Sequence, residues 1–581
     1  MSLLQESEVL PMANKDDISI VLCGQAGQGI QSIEYVLVRV LKLAGYNVFA
    51  TKEYMSRIRG GTNSTEIRVS SNQVRAVTNR IDILIPLNKE AIQHVQKRIS
   101  SKTIILTETE NIDEVSDQRG CVCIEVPFTK IATNIGDKIY SNIVAVGVVA
   151  GFFQVDFQLV NDYIRKYFSG KSDDILNKNL EAAKAGYKLG CDLVNSGKIG
   201  IAVKPNDSVS DQILLSGAEA VALGAIAGGC NFIYSYPMSP STAVLVFLAQ
   251  HAKEFNIVAE QAEDEIAAIN MAIGAWYAGA RAMVTTSGGG FSLMVEGLSL
   301  AAMLESPMVI HLGQRPGPAT GLPTRTEQGD LELALYAGHG EFPRIILAPG
   351  TLEEAFYLTQ KAFNLADKYQ VPVFLLTDQY FLDSFYNTAD FNLSDIKAEK
   401  HIVKTEKDYR RYEFATNGIS PRGIPGYGRS FVCVDSDEHD AEGHITEDLE
   451  LRVKMVDKRL VKGKALMKDA KSPQLVGPKD YKTLVICWGS TYHIVDEAVK
   501  NLNRDDVAFA HFKQVHPLPK ETAIYLEKAE KTIAIENNAT GQFAKQIKFH
   551  TGINIDRKVL KYKGLSFTVE ELVEKLGGLL D

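Results

Sequence analysis

An α/β fold made of several parallel-sheet domains is what this 581-residue sequence predicts. Three observations carry the prediction. Short β-branched runs alternate with helix-like segments along most of the chain, the pattern of strand–helix–strand units and so of parallel sheets. Polar and glycine-rich turns fall repeatedly where such a run ends, the place at which open α/β sheets bind ligands. The length exceeds what one core supports, so three or four domains are expected.

Composition narrows the function classes. A hydrophobic content of 45% and a charged content of 23% are ordinary for a globular protein. A net charge of −9 without long like-charge blocks argues against nucleic acid or a membrane surface as the main partner. Residues 1–17 have neither a basic start nor an apolar stretch, so no signal peptide is expected. The longest apolar helix, 266–280, falls short of the roughly 20 residues a bilayer needs. The seven cysteines, Cys23, Cys121, Cys123, Cys191, Cys230, Cys433 and Cys487, form no Cys-x-x-Cys pair. A cubane iron–sulfur cluster needs clustered ligands, so they read as core residues in a reducing cytoplasm. Cys121 and Cys123 would face one side of a strand as small apolar residues.

The first domain spans 17–200. Ile18–Leu22 is a strand, Gly24–Gly29 a glycine turn and Ile30–Ala44 a helix. The spacing is G-x-x-G-x-G rather than the dinucleotide G-x-G-x-x-G, and no acidic residue ends a clear second strand, which disfavours a nicotinamide site. Ser56–Asn63 joins Arg57 and Arg59 to a glycine turn, either an anion-binding loop or a solvated one. Residues 198–211, with little apolar periodicity, read as a linker. The second domain spans 201–400. A helix is expected over 214–228, strands at 232–234, 257–259, 282–285 and 308–311, and helices over 242–252 and 265–279. A strand at 344–348, a helix over 351–369 and a strand at 371–376 complete it. Residues 401–480 form a connecting segment full of turn residues. Its Asp435–His444 run of carboxylates and histidines lacks metal-ligand spacing and reads as a polar surface or subunit-contact loop, with no metal assigned. The last domain, 481–581, has strands at 484–488, 507–511 and 532–535.

Five motifs of the second domain fall at strand ends: Tyr234–Thr242, Glu263–Ala268, Thr285–Phe291, His311–Pro318 and Glu327–Asp330. Arg315 could clamp a carboxylate with two parallel bonds. Thr285–Gly290 allows a close backbone approach suited to a flat ring and lacks the Gly-Lys-Ser/Thr of a phosphate loop. Glu265 opens an apolar helix. On its own it could be a carboxylate serving the helix dipole, worth under ~1 kcal/mol, with Glu263 as its rival for any catalytic role.

Together these motifs resemble the alpha subunit of 2-oxoacid:ferredoxin oxidoreductases, most closely the 2-oxoglutarate type. The Gly24–Gly29 turn and Arg59–Thr62 resemble the gamma subunit of the same enzymes. Residues 481–581, with Glu536–Phe543, resemble the carboxyl-terminal module shared with transketolase-like enzymes. The resemblance therefore implies a natural gamma–alpha fusion with a gamma-type domain, a pyrimidine-type thiamine diphosphate-binding domain and a transketolase C-terminal-like domain. In that family a carboxylate hydrogen-bonds the aminopyrimidine ring of thiamine diphosphate, a role that falls to Glu265. Tyr236, Pro237, Ser287, Gly288 and Gly289 would line the cofactor. Arg315 would bind the C1 carboxylate together with Ser239, which stands where the family's Tyr-Pro-Ile-Thr-Pro-Ser-Thr signature has threonine. Thr320, Thr324, Arg325 and Gln328 could meet a distal carboxylate or a partner chain.

The sequence has no Gly-Asp-Gly run to hold a diphosphate-bound magnesium ion. The resemblance accordingly places Mg2+ and a [4Fe-4S] cluster in a beta subunit, coenzyme A as co-substrate, ferredoxin as electron acceptor and an (alpha–beta)2 assembly. The implied reaction is reversible oxidative decarboxylation of a 2-oxoacid, 2-oxoglutarate first, to an acyl-CoA, CO2 and reduced ferredoxin. A pyruvate or branched-chain enzyme and a non-catalytic scaffold subunit are the other readings.

Overall fold

The computed structural model describes residues 16–25, 30–56, 61–108 and 120–580. Two compact units divide the chain. One holds the chain up to Leu215 with Ser384–Asp390 and Thr568–Glu570; the other holds Ser216–Asp383, Phe391–Phe567 and the residues from Glu571 on. In chain order the strands are β1 (Asp17–Gln25), β2 (Asn47–Glu53), β3 (Thr62–Ser70), β4 (Ile83–Pro86), β5 (Ile104–Thr107), β6 (Val122–Glu125), β7 (Gln212–Ser216), β8 (Phe232–Ser235), β9 (Val258–Gln261) and β10 (Ala282–Thr286). They continue as β11 (Met308–Gln314), β12 (Ile345–Leu347), β13 (Pro372–Asp378), β14 (Phe385–Ala389), β15 (Gln474–Val476), β16 (Thr483–Trp488), β17 (Val507–Phe512), β18 (Gln514–His516), β19 (Lys531–Glu536) and β20 (Arg557–Leu560).

The first unit is built on an eight-stranded sheet in the order β6-β5-β4-β1-β3-β2-β14-β7. Its β6-to-β1 half is parallel, as expected. Its other half is not: β3 runs antiparallel to both β1 and β2, and β14 antiparallel to β2. The expectation of parallel sheets is thus met in only half of this sheet, since the eight residues between β2 and β3 are too few for the crossover a parallel pair needs. The helix Ser141–Phe152, apolar from Ile143 on, packs against the helix Ile30–Leu43 and crosses Asp173–Asn195 closely. Gly147 and Gly151 face Gly186 and Gly190, where any side chain would strike the other helix's backbone.

The helix expected over 214–228 begins at Gly217. Ser216 accepts from the Glu219 N–H while Glu219 returns a bond to the Ser216 N–H, a capping box that ends β7 and starts the helix. Of the predicted Gly24–Gly29 turn, Gly24 and Gln25 instead end β1 and residues 26–29 lie outside the described residues; of the Ser56–Asn63 loop, residues 57–60 lie outside them, and Thr62 and Asn63 open β3. Cys121 and Cys123 pack half-buried against a small apolar cluster with Val21, Leu84 and Ile105.

In the second unit the central sheet has the order β18-β12-β13-β11-β10-β8-β9, parallel throughout except for β18. Strands β10, β11 and β13 are buried along their whole length, as sheets covered on both faces require. The last module forms a five-stranded sheet, β15-β17-β16-β19-β20, parallel apart from β15. It lends β18 to the edge of the central sheet.

The connecting segment holds a helix the sequence did not suggest, Leu449–Lys468. Nor is its Asp435–His444 run a plain surface loop. His439 is fully buried and stacks on Tyr412, Glu438 receives Arg452 and Arg459, and Asp440 accepts the backbone N–H groups of Glu442, Gly443 and His444. Among the described residues no group of three or more His, Cys, Asp or Glu could hold a metal ion, and no helix is long and apolar enough to cross a membrane.

Candidate active site

The carboxyl ends of the central strands are tied together by a row of side-chain hydrogen bonds. The Ser235 hydroxyl on β8 donates to the Thr285 carbonyl at 2.6 Å. The Thr285 hydroxyl meets His311 Nδ1 at 2.7 Å, and His311 Nε2 meets the Thr377 hydroxyl at 2.9 Å. Burial lowers the His311 pKa to about 3, so its ring is neutral, one nitrogen donating and the other accepting. The row fixes four neighbouring strand ends in one plane and makes a rigid floor beneath the loops above it.

On that floor Thr286 and Ser287 lead into the short helix Gly288–Phe291, and a carboxylate flanks each side. Glu265 is the first residue of the helix Glu265–Tyr277, whose N-cap Asp264 already accepts the Ala267 N–H at 2.7 Å. Glu265 is therefore not needed as a cap. It is 3% exposed, whereas Glu263, the rival, lies exposed. A Cβ at position 290 would come within 2.5 Å of Glu265 Oε1, so glycine there is what lets the carboxylate reach the short helix. Glu265 Oε1 is buried and has no hydrogen-bond partner. On the other side lies Asp330, a residue the sequence reading left without a role. A Cβ at 288 would come within 2.6 Å of Asp330 Cγ, and Asp330 Oδ2 is likewise buried without a partner. Burial, reinforced by Glu327 and opposed by Arg315, lifts the Asp330 pKa to about 7. The Ser287 hydroxyl is a third buried polar atom without a partner, while Tyr236 on the neighbouring turn is 41% exposed.

Arg315 follows the last residue of β11. Gly313, two residues earlier, allows Pro240 and Ser241 to lie against the strand end. Arg315 is thereby brought to the Tyr236–Thr242 segment, and its Nη1 donates to the Ser239 carbonyl at 2.7 Å. Its Nε is buried without a partner, and burial lowers its pKa. The sequence-predicted pair Arg315 and Ser239 is therefore adjacent, and the guanidinium keeps donors in reserve. The buried atoms suit a flat heteroaromatic cation: an unpartnered carboxylate oxygen for a ring N–H, glycines that leave a face open, and an arginine for a nearby carboxylate.

The rest of the arginine's loop is bound to the last module. Gln328 is fully buried and satisfied: its N–H donates to the Asn537 carbonyl (2.7 Å), its Oε1 accepts the Asn537 N–H (2.9 Å), and its Nε2 donates to the Trp488 carbonyl (2.8 Å). These bonds tie both ends of the Gln328 side chain to the last module, a structural role for that residue. Thr326 and Ser490 both donate to Asp378 at the end of β13. Arg325 packs its stem on Gly564, Thr324 is buried, and Thr320 is exposed after the Gly317–Pro318 turn. The Asp330 N–H donates to Gln314 Oε1 (3.0 Å), and Gln542 donates to the Gly329 carbonyl (2.8 Å).

The central domain is an α/β sheet, parallel but for one edge strand, with these polar groups at its carboxyl end, and comparison with known proteins gives its class. Residues 223–458 match the family model described as "Pyruvate flavodoxin/ferredoxin oxidoreductase, thiamine diP-bdg", and residues 19–189 match "Pyruvate ferredoxin/flavodoxin oxidoreductase". A 2-oxoacid:ferredoxin oxidoreductase subunit alpha from Sulfolobus sp is 33% identical, with 96% of each chain covered. A 2-oxoglutarate synthase subunit KorA from Archaeoglobus fulgidus is 34% identical, over 63% of this chain and 99% of its own. Among solved structures, a 2-oxoglutarate:ferredoxin oxidoreductase from Magnetococcus marinus, with 2-oxoglutarate, coenzyme A and succinyl-CoA bound, superposes with a TM-score of 0.90 at 30% identity, covering 98% of this chain and 100% of that one. The chain belongs to the alpha-subunit family of the 2-oxoacid:ferredoxin oxidoreductases. It is accordingly a subunit of a multi-chain oxidoreductase.

Proposed function

We propose that this chain is the gamma–alpha subunit of an enzyme that converts 2-oxoglutarate and coenzyme A to succinyl-CoA, CO2 and reduced ferredoxin, reversibly. The observation that carries the reading is the buried, unpartnered Glu265 Oε1 against Gly290, with Arg315 on the same floor. Thiamine diphosphate, when bound, supplies a nucleophilic carbon and an electron sink. The protein's part is to hold and orient. Glu265 would accept a hydrogen bond from the ring edge and so favour the imino tautomer of the aminopyrimidine. Ser287, Gly288 and Gly289 form the close-approach surface, and Tyr236 and Pro237 the rim. Arg315 and Ser239 orient the carboxylate of the 2-oxoacid. Thr320, Thr324 and Arg325 belong to the same loop, with Arg325 the candidate for the distal carboxylate.

We assign residues 17–200 to a gamma-type domain, 201–400 to the pyrimidine-type domain, 401–480 to the connecting segment and 481–581 to the transketolase C-terminal-like module. The magnesium ion, the [4Fe-4S] cluster and the ferredoxin contact fall to a beta subunit in an (alpha–beta)2 enzyme of the cytoplasm. The dispersed cysteines and the missing Gly-Asp-Gly run support that division. Reconstitution with the beta subunit tests the reading. Steady-state kcat/KM should favour 2-oxoglutarate over pyruvate and depend on coenzyme A, and the chain expressed alone should bind no iron. A preference for pyruvate would reassign the substrate, and stoichiometric iron in the lone chain would overturn the division of labour.

A further inference from the structure

Asp330 has no structural task that accounts for its burial. It is the N-cap of the helix Leu331–Tyr336 but makes no side-chain cap bond. Its carboxylate makes no direct ion pair among the described residues, and Oδ2 is buried without a partner. A group so placed costs folding free energy unless something else completes it. The backbone nevertheless holds it firmly. Gln314 takes its N–H and is itself anchored to the Thr377 carbonyl at 3.0 Å, Gln542 holds Gly329, and the glycine at 288 clears the space its carboxyl fills.

Arg315 has the complementary deficiency. One nitrogen bonds the Ser239 carbonyl, while Nε is buried with nothing to meet. The two opposite charges act on each other without touching: Asp330 supports the charged form of Arg315, and Arg315 that of Asp330. The charged groups facing Asp330 are Arg315 and Glu327, both from its own loop. Across from it lie Gln314, which takes its N–H, and Gly288.

We propose that Asp330 is a positioning residue that couples proton uptake to carboxylate binding at Arg315. As a carboxylate, Asp330 occupies the charge of the guanidinium. When a 2-oxoacid carboxylate binds Arg315, it removes the stabilisation Asp330 enjoyed and adds a second negative charge beside it. Asp330 then takes up a proton, and as a neutral acid it can donate from Oδ2. In the free protein its pKa near 7 leaves it about half ionised at neutral pH, so uptake is about half a proton there and approaches one proton by about pH 8.

The inference rests on Arg315 as the carboxylate site, and the experiment separates the two. Glutarate, which has both carboxylates but no 2-oxo carbon to react, is titrated calorimetrically into the reconstituted holoenzyme between pH 6.5 and 8.5, in two buffers of different ionisation enthalpy. The wild type should take up a proton, and above pH 7 its Kd should rise by up to about tenfold per pH unit. Asp330→Asn should bind glutarate with a nearly flat pH profile and more tightly than wild type at pH 8. Absence of proton uptake in the wild type, a measurement that needs no variant, would overturn the proposal, as would an unchanged slope in Asp330→Asn. Arg315→Lys should weaken glutarate at every pH; unchanged binding there would instead remove the carboxylate site itself.

Discussion

Glu305 and the pair Glu265 and Asp330 are carboxylates taken out of water in the same unit. Around Glu305 the protein supplies a cation for each carboxylate oxygen. Lys458 donates to Oε1 at 2.6 Å, Lys462 pairs with Oε2, and Arg411 donates to the Glu305 carbonyl at 2.8 Å. Burial alone would raise the Glu305 pKa, but Lys462, Lys458 and Arg411 outweigh it and hold the carboxyl well below the usual range. This cluster pins the helix Leu449–Lys468 and the connecting segment onto the central sheet. Around Glu265 and Asp330 the partners stop short: each keeps a buried oxygen that nothing in the chain meets, and Asp330 is pushed up to about 7. The contrast separates charge that holds the fold from charge left open for a ligand. Burial alone does not tell them apart; the completeness of the partners does.

Breaking the closed cluster should have the largest effect. Glu305→Ala leaves Lys458, Lys462 and Arg411 buried without a counter-charge, and should lower stability by about 3–5 kcal/mol in denaturant unfolding. Glu265→Gln, by contrast, should unfold no earlier than the wild type. Equal losses in the two variants would erase the distinction. Next in size is Arg315→Lys, which keeps the charge but loses the planar fork. It should reduce kcat/KM by the equivalent of about 1.5–3 kcal/mol, the worth of a charged hydrogen bond, for 2-oxoglutarate and pyruvate alike. A loss confined to 2-oxoglutarate would move Arg315 to the distal carboxylate.

The smallest effect concerns Asp330 and pH. Its pKa in the fold lies above the ordinary 3.8, so the stability it contributes is full below about pH 4 and is lost as pH rises through about 7. Asp330→Asn cannot ionise. Its stability relative to the wild type should therefore improve from pH 4 to pH 8, by about 1–3 kcal/mol. Unfolding curves of both proteins at the two pH values check this, and a constant difference would mean that Asp330 is not under strain.

The central sheet and its strand-end motifs were legible because they are local: buried runs, then glycine or polar turns, in an order that repeats. Glu265 and Arg315 stand next to such strand ends, and the resemblance to the oxidoreductase family is what singled them out. What escaped depends on distant partners. Asp330 looks like any acidic helix start until Gly288, some forty residues earlier in sequence, is seen to clear its place. The helix Leu449–Lys468 reads as a solvated charged stretch because nothing local says that Lys458 and Lys462 will meet Glu305. Strand β14 leaves the central domain to join the first sheet beside β2, a pairing over more than three hundred residues that no short pattern encodes. The start of the helix at Gly217 was legible in principle, since Ser216 and Glu219 have capping-box spacing.

The central claim is that the open carboxylate at Gly290 serves thiamine diphosphate. Hydrogen–deuterium exchange at C2 of the bound cofactor, followed in the reconstituted complex, tests it most directly. Glu265→Gln is nearly isosteric and should slow that exchange by about 10²–10⁴, the usual scale for an acid–base group, while Glu263→Gln leaves it at the wild-type rate. Unchanged exchange in Glu265→Gln, with the cofactor bound, would contradict the claim.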